Sequence, residues 1–186
     1  MAATLPAKWV VTGGEALKLD AARLLLRAES CRVLNHYGPT ETTVGVCTFE
    51  VTAASLERVV AAGAQTIPVG YPLVNTQAFV ADARGQEVPV GVIGDLLIGG
   101  WGVTQGYLHD AVRTAESFVQ YHGQRVYRTG DRVRRLSDGA IEFLGRSDHQ
   151  IKIRGYRVEL GDIEQVLVSH PGLESAVVTR YTAATG

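Results

Sequence analysis

The chain has 186 residues, with 18 basic against 19 acidic side chains, a net charge of −1, 46% hydrophobic residues and 20% charged ones. This balance argues against intrinsic disorder, and the sequence holds no apolar run of the roughly 18 residues a membrane helix requires. Without an overall basic field, general binding of nucleic acid is also excluded on electrostatic grounds.

At the start, MAATLPAKWVV has neither the basic segment nor the long apolar stretch of a secretory signal, so the expected compartment is the cytoplasm. Cys31 and Cys47 are too few for a disulfide framework and have no metal-ligand spacing, which fits reduced thiols. The run Trp9, Val10, Val11 predicts a strand of the kind parallel sheets bury on both faces. Nothing upstream supplies those neighbours, and a strand predicted at Ser175 to Arg180 stands close to the other end, so the chain is expected to be a segment of a longer protein.

Between these ends the first section, 1–52, reads as strand, turn, helix, strand. The TGGE turn at 12–15 follows the first strand, leucines and alanines recur at helical spacing from Leu17 to Ala28, and a short apolar strand covers Cys31 to Leu34. Strands joined by a helix usually run parallel and bind ligands beyond their carboxyl ends. The polar loops TGGE and NHYGPTE both fall there.

A second section, 53–147, opens with a short helix whose predicted apolar face is Leu56, Val59 and Val60. Glycines then recur between β-rich stretches at Gln77 to Val80, Leu96 to Ile98, Arg125 to Tyr127 and Ile141 to Leu144, which predicts a small antiparallel barrel or sandwich. The third section, 148–186, alternates polar and apolar residues in Gln150 to Ile153 and again in Arg157 to Leu160, around a turn at Gly155, as a hairpin does. Ile163, Val166 and Leu167 then mark a helix, with Asp162 and Glu164 near its positive end and His170-Pro171-Gly172 as its stop. His109, His122, His149 and His170 form no ligand spacing and read as surface or cap residues.

Four stretches carry the functional signal: NHYGPTETT at 35–43, GDLLIGGWGVTQGYL at 94–108, YRTGDRV at 127–133 and GRSDHQIKIRGYRVELGDIE at 145–164. In this order and spacing they resemble the adenylation domains of nonribosomal peptide synthetases, within the adenylate-forming superfamily, over nearly the whole chain. The fold implied is α/β plus β: the end of a parallel αβ subdomain, a small distorted β-barrel, and the start of a mobile α+β C-terminal lid. The reaction implied joins an amino-acid carboxylate to the α-phosphorus of ATP, expels pyrophosphate, and passes the acyl group to the phosphopantetheine of a carrier domain. ATP, magnesium, a peptidyl carrier domain and neighbouring synthetase domains are the implied cofactors and partners, and secondary-metabolite biosynthesis the implied context.

The resemblance also implies roles for residues. Tyr37 stacks on adenine and Asn35 reads its edge, in keeping with a flat aromatic face and a donor–acceptor amide. Gly38 shapes the loop, Thr40 donates to a phosphate oxygen, and Glu41 offers a hard carboxylate to magnesium; Thr40 and Glu41 are the catalytic candidates. Gly14 and Glu15 belong to the turn that closes over the nucleotide. Asp131 accepts from the ribose hydroxyls, Arg146 contacts the nucleotide, and Asp148 is the hinge of the lid. Gly155 lets the pantetheine arm pass, while Lys152, Arg154 and Arg157 meet phosphates or carrier acids or form a solvated hairpin face. The glycines of GDLLIGGWGVTQGYL read as structural; that stretch has Asp95 where Glu is usual and Gln105 where Arg is frequent.

The substrate pocket implied includes Val10, Thr12, His36, Val44 and Gly45. An imidazole among apolar side chains points to a polar or acidic substrate side chain. The set is most similar to aspartate-selecting pockets, which usually carry glycine where Thr12 stands; proline-selecting pockets also have histidine at this position. The phosphate loop, the aspartate that pairs with the substrate amine and the late bridging lysine of the family are absent from these 186 residues, so this segment alone is expected to be inactive. An acyl- or aryl-CoA ligase of the same superfamily and a non-catalytic docking module remain alternatives.

Overall fold

A computed structural model describes residues 8–28, 31–148, 150–153, 156–179 and 181. The chain divides into two compact units, Met1–Ser147 and Asp148–Gly186. In the first, β1 (Trp9–Gly13) and β2 (Arg32–Tyr37) run parallel, in register from Trp9 beside Arg32 to Gly13 beside His36. They are joined, as expected, by helix α1 (Leu19–Leu26). This helix starts two residues later than its leucine spacing predicts, because Lys18 is extended and bridges Thr66. Asp20 in its first turn complements the helix dipole and pairs with Arg23 at 2.7 Å.

Two antiparallel strands, β3 (Cys47–Val51) and β4 (Tyr71–Pro72), complete a four-stranded sheet in the order β1-β2-β3-β4. Between them lies α2 (Ala53–Ala61), opened by a reciprocal capping box between Thr52 and Ser55. Leu56 and Val59 are buried as predicted, whereas Val60 is exposed. The core under this sheet contains Val33, Phe49, Val51, Leu56, Val59 and Ile67. Residues 53–72, read from sequence as the start of the second section, thus pack with the first sheet. The apolar run Trp9 to Val11 is not buried on both faces: among the described residues β1 pairs with β2 alone, and Trp9 and Val11 are exposed.

The second sheet is antiparallel and comprises β5 (Thr76–Ala81), β6 (Ile93–Gly100), β7 (Phe118–Tyr121), β8 (Gln124–Arg135) and β9 (Ile141–Arg146). Helix α3 (Ala111–Ser117) leads into β7. The strands order as β5-β6-β8-β7, with β9 also on β8. No closed barrel forms among the described residues. The 12-residue β8 divides its edge instead, pairing residues 124–127 with β7 and 131–135 with β9, with a bulge at Arg132/Val133. Gly70 and Ile141 exchange backbone hydrogen bonds of 2.8 and 3.2 Å and tie β9 to the first sheet. A second core of Val46, Cys47, Val69, Val80, Leu96, Ile98, Val133 and Ile141 fills the space between the sheets.

The second unit holds the predicted hairpin, β10 (Gln150–Ile153) against β11 (Tyr156–Glu159), and helix α4 (Leu160–Val168). Residues 175–179 form no ladder with any described strand, contrary to the predicted strand there. The Val178 N–H donates to Glu164 Oε1 at 2.8 Å instead, so α4 offers a side-chain acceptor where a sheet would offer a carbonyl. His149, Arg154, Gly155 and Arg180 lie outside the described residues, as does the side chain of Lys152. No helix among the described residues is long and apolar enough to cross a membrane.

Burial has a chemical consequence at Cys47. Loss of solvent pushes its thiol up to about 12, with Arg135 opposing more weakly. Because the unfolded thiol ionises near ~8.5, this group's contribution to stability is complete below that pH and declines as pH rises from there towards 12. Iodoacetamide at neutral or mildly alkaline pH is expected to modify half-buried Cys31 but to reach Cys47 only in denaturant, as peptide mass spectrometry would read.

Candidate functional site

Tyr37, Asp131 and Arg146 come from three strands 94 and 15 residues apart in sequence and meet at one point. The Tyr37 hydroxyl donates to Asp131 Oδ2, and Arg146 Nη1 donates to Asp131 Oδ1 at 2.7 Å. Topology produces this meeting: β9 runs beside the end of β8 so that Asp131 and Arg146 are cross-strand partners. Thr129, buried one alternation earlier, accepts from the Asp131 N–H at 3.0 Å and donates to the Leu96 carbonyl at 3.0 Å. With Asp131 only 5% exposed, this ion pair is among the better shielded in the chain. Burial and then the neighbouring Asp131 carboxylate hold the Tyr37 phenol well above its usual value, so it remains a neutral donor.

Tyr37 also begins the loop that carries Glu41. The loop closes through the Val46 N–H, which donates to the Tyr37 carbonyl at 2.8 Å. Gly38 is required inside it: a Cβ there would lie 1.9 Å from the Val44 carbonyl oxygen. Thr40, exposed, opens a 3₁₀ turn, Thr40–Thr42, that buries Glu41 to 6% exposure. Tyr107 donates its hydroxyl to Glu41 Oε1 at 2.7 Å. The glycine pattern marks the stretch containing Tyr107 as structural; only the tertiary contact reveals its link to the carboxylate.

After Glu41, Thr43 and Val44 both adopt left-handed backbone, with φ of 59° and 67°. For a β-branched residue this is an outlier that costs of order 1–2 kcal/mol, and strain of this kind concentrates at functional sites. Val44 is 72% exposed and loses little packing when replaced. Val44→Asn, which tolerates left-handed backbone, should therefore raise stability by about 1 kcal/mol, measurable as a higher urea midpoint at unchanged m-value.

Strand register divides the candidate substrate residues between two faces. Val10 and Thr12 pair with Val33 and Asn35 and share the core face, and the Thr12 hydroxyl lies 3.3 Å from Asn35 Oδ1. His36 pairs with Gly13 and stands on the opposite face, with Val11 one alternation earlier. A Cβ at Gly45 would lie 1.7 Å from His36 Nε2, and one at Gly13 would lie 2.7 Å from the His36 carbonyl oxygen. The imidazole therefore lies against Gly45, with Gly13 against the His36 backbone on the adjacent strand, while Val10 and Thr12 face away from it.

Asn35 is 4% exposed, and its Nδ2 donates to the Pro68 carbonyl at 2.8 Å. The structure thus gives this amide a role in joining β2 to the segment before β4. Gly14, with φ of 86°, and exposed Glu15 form the bend that follows β1. Asp148, the first residue of the second unit, accepts the Gln150 N–H at 3.1 Å.

Among the described residues no three His, Cys, Asp or Glu side chains gather as a metal centre. The buried carboxylate of Glu41 and the hydroxyl of Thr40, its neighbour in the chain, are hard oxygen donors, which suits a magnesium ion that arrives with phosphate oxygens completing its shell.

Known proteins resemble this chain over most of its length. The family model described as AMP-binding enzyme matches residues 3–108. Bacitracin synthase 2 of Bacillus licheniformis is 44% identical over 169 residues, 90% of this chain but 6% of the relative. The dimodular nonribosomal peptide synthase of Bacillus subtilis (strain 168) is 46% identical over 174 residues, 91% of this chain and 7% of that one. Among solved structures, PA1221, an NRPS protein containing adenylation and PCP domains, superimposes with a TM-score of 0.81 at 37% identity, over 94% of this chain and 36% of the other. The Vibrio cholerae adenylation domain AlmE, solved with glycyl-adenosine-5'-phosphate, gives 0.82 at 31% identity, over 95% and 33%. This chain therefore spans about a third of the solved chains and a few per cent of the curated synthetases. On the family match and the synthetase relatives together, the chain belongs to the AMP-binding enzyme family, with sequence of the nonribosomal peptide synthetase adenylation type.

Proposed function

We propose that this chain supplies part of the nucleotide and substrate site of an ATP-dependent enzyme that activates an amino acid as its adenylate and loads it onto a carrier domain. The observation that carries the reading is the meeting of Tyr37, Asp131 and Arg146 at one point. An aromatic face, an acceptor for paired hydroxyls and a fixed guanidinium fork suit the adenine, ribose and phosphate portions of a nucleotide.

In this reaction a substrate carboxylate oxygen forms a bond to the α-phosphorus while the bond to the pyrophosphate oxygen breaks. The enzyme's task is to hold two anions in line and stabilise charge on the phosphorus oxygens. Magnesium, when bound, neutralises phosphate charge. Glu41 would hold the ion, Thr40 would donate to a phosphate oxygen, Asp131 would accept from the ribose hydroxyls, and Arg146 would fix both Asp131 and the nucleotide. Asn35 would act on the adenine edge through the β2 strand it anchors, and Gly14 and Glu15 would cover the nucleotide from the bend after β1. Asp148 would be the hinge on which the second unit turns between adenylation and thioester formation, with the carrier domain and neighbouring synthetase domains as partners.

The substrate-facing residues in this reading are Val11, Gly13, His36, Val44 and Gly45, since register puts Val10 and Thr12 on the other face. Gly13 then supplies the glycine characteristic of the aspartate-selecting pockets this chain resembles. With no side chain at 13 or 45, the imidazole of His36 is left as the polar group of that face, which favours aspartate or another amino acid with an acidic or polar side chain.

The test is amino-acid-dependent ATP–pyrophosphate exchange by the full-length protein across the twenty amino acids. Exchange stimulated by aspartate or a polar amino acid supports the reading. Stimulation by fatty or aryl acids and by no amino acid overturns it in favour of a CoA ligase.

A further inference from the structure

We infer that Tyr107 is a positioning residue for Glu41, and that residues 102–107 form a brace holding the metal-binding carboxylate in its working orientation before magnesium and ATP arrive. This rests on the reading above in one respect, that Glu41 holds the metal.

The brace touches the Glu41 loop at three points. The Tyr107 hydroxyl donates to Glu41 Oε1 at 2.7 Å, the Thr104 N–H donates to the Glu41 carbonyl at 2.9 Å, and the Thr43 hydroxyl donates to the Gly102 carbonyl at 2.8 Å. Side chain and backbone of the same residue are thus held by one neighbouring segment. The approach is close: a Cβ at Gly102 would come within 2.8 Å of the Thr42 carbonyl oxygen.

Tyr107 is itself immobilised. Its N–H donates to Thr114 Oγ1 at 2.9 Å, its ring meets the Phe118 ring at 5.7 Å between centroids, and the Arg113 guanidinium sits over it at 4.8 Å. Arg125 on β8 secures the segment from the other side. It donates to the Thr104 carbonyl and, at 2.7 Å, to the Gln105 carbonyl, while its guanidinium lies 4.4 Å over Phe118. An unbraced glutamate would lose rotamer freedom when it took up a cation. A braced one has lost it during folding, so metal binding is tighter.

The test uses the full-length protein, with Mn²⁺ as a magnesium probe followed by electron paramagnetic resonance and ATP kept below the protein concentration. Tyr107→Phe removes only the hydroxyl and should weaken Mn²⁺ binding to the ATP complex about tenfold, leaving metal-free ATP affinity within about twofold of the parent. Arg125→Lys, which loosens the brace and keeps the hydroxyl, should weaken Mn²⁺ in the same direction by a smaller factor, and it carries the test if Tyr107→Phe does not fold. Glu41→Gln separates the two levels of argument. If it weakens Mn²⁺ while both brace variants leave it unchanged, the inference is overturned and the metal role of Glu41 stands. If Glu41→Gln leaves Mn²⁺ binding intact, the metal role itself fails. If the brace variants weaken metal-free ATP as much as Mn²⁺, the contact is structural and the inference is also overturned.

Discussion

In the proposed reading, Gly38→Ala should abolish nearly all adenylation by the full-length protein while leaving both sheets folded. The added Cβ would sit 1.9 Å from the Val44 carbonyl oxygen and 2.8 Å from Gly45 Cα, both backbone atoms that no rotamer change can move aside. The loop between Tyr37 and Val46 must open to admit it, which carries Thr40 and Glu41 away from the site together. An overpacked backbone contact costs about 2–3 kcal/mol of stability. Displacement of catalytic groups by roughly an ångström costs on the order of a hundredfold in rate. Pyrophosphate exchange and urea denaturation measured on the same protein separate the two effects. A variant with normal exchange would show that the loop's closure is incidental.

Asp131→Ala should be the most damaging single change to nucleotide binding. It removes the acceptor of both the Tyr37 hydroxyl and the Arg146 guanidinium from a position 5% exposed to solvent. Deleting one partner of a buried ion pair costs about 3 kcal/mol or more, because the other charge keeps its desolvation penalty. In the proposed site the same carboxylate accepts from the ribose, and loss of charge-assisted hydrogen bonds of about 1.5–3 kcal/mol should lower ATP affinity by tenfold to a hundredfold. Asp131→Asn retains the shape and an acceptor for Tyr37 and should recover part of the stability but little of the affinity. Calorimetric titration of ATP into the three proteins would show this order; equal affinity in all three would remove Asp131 from the site.

Local signals in the sequence were enough for β1, α1, β2, the hairpin and α4, because each depends on alternation or helical spacing over a few residues. Register between strands could not be read in the same way. The separation of Val10 and Thr12 from His36 is a matter of parity: alternation assigns two faces within β1 but does not say which of them β2 places beside His36. That information exists only in the pairing of Gly13 with His36. The antiparallel sheet was legible, but its openness was not, since it follows from β8 dividing its edge between β7 and β9. The candidate loop residues stand in recognisable motifs, whereas Tyr107 reaches Glu41 across 66 residues and Arg125 holds the Thr104 and Gln105 carbonyls, contacts that spacing does not announce. The segment from Ser175 to Thr179 fails as a strand for a similar reason: apolar alternation supplies a candidate, and a ladder requires a neighbouring edge.

The most direct measurement of the central claim is a crystal structure of the full-length protein with magnesium and an unreactive aminoacyl-adenylate mimic. The account predicts adenine against the Tyr37 ring, ribose hydroxyls at Asp131, the metal at Glu41, and the amino-acid side chain on the Gly13–His36–Gly45 face. A mimic bound away from Tyr37 and Asp131, or no binding at concentrations that saturate other adenylating enzymes, would contradict it.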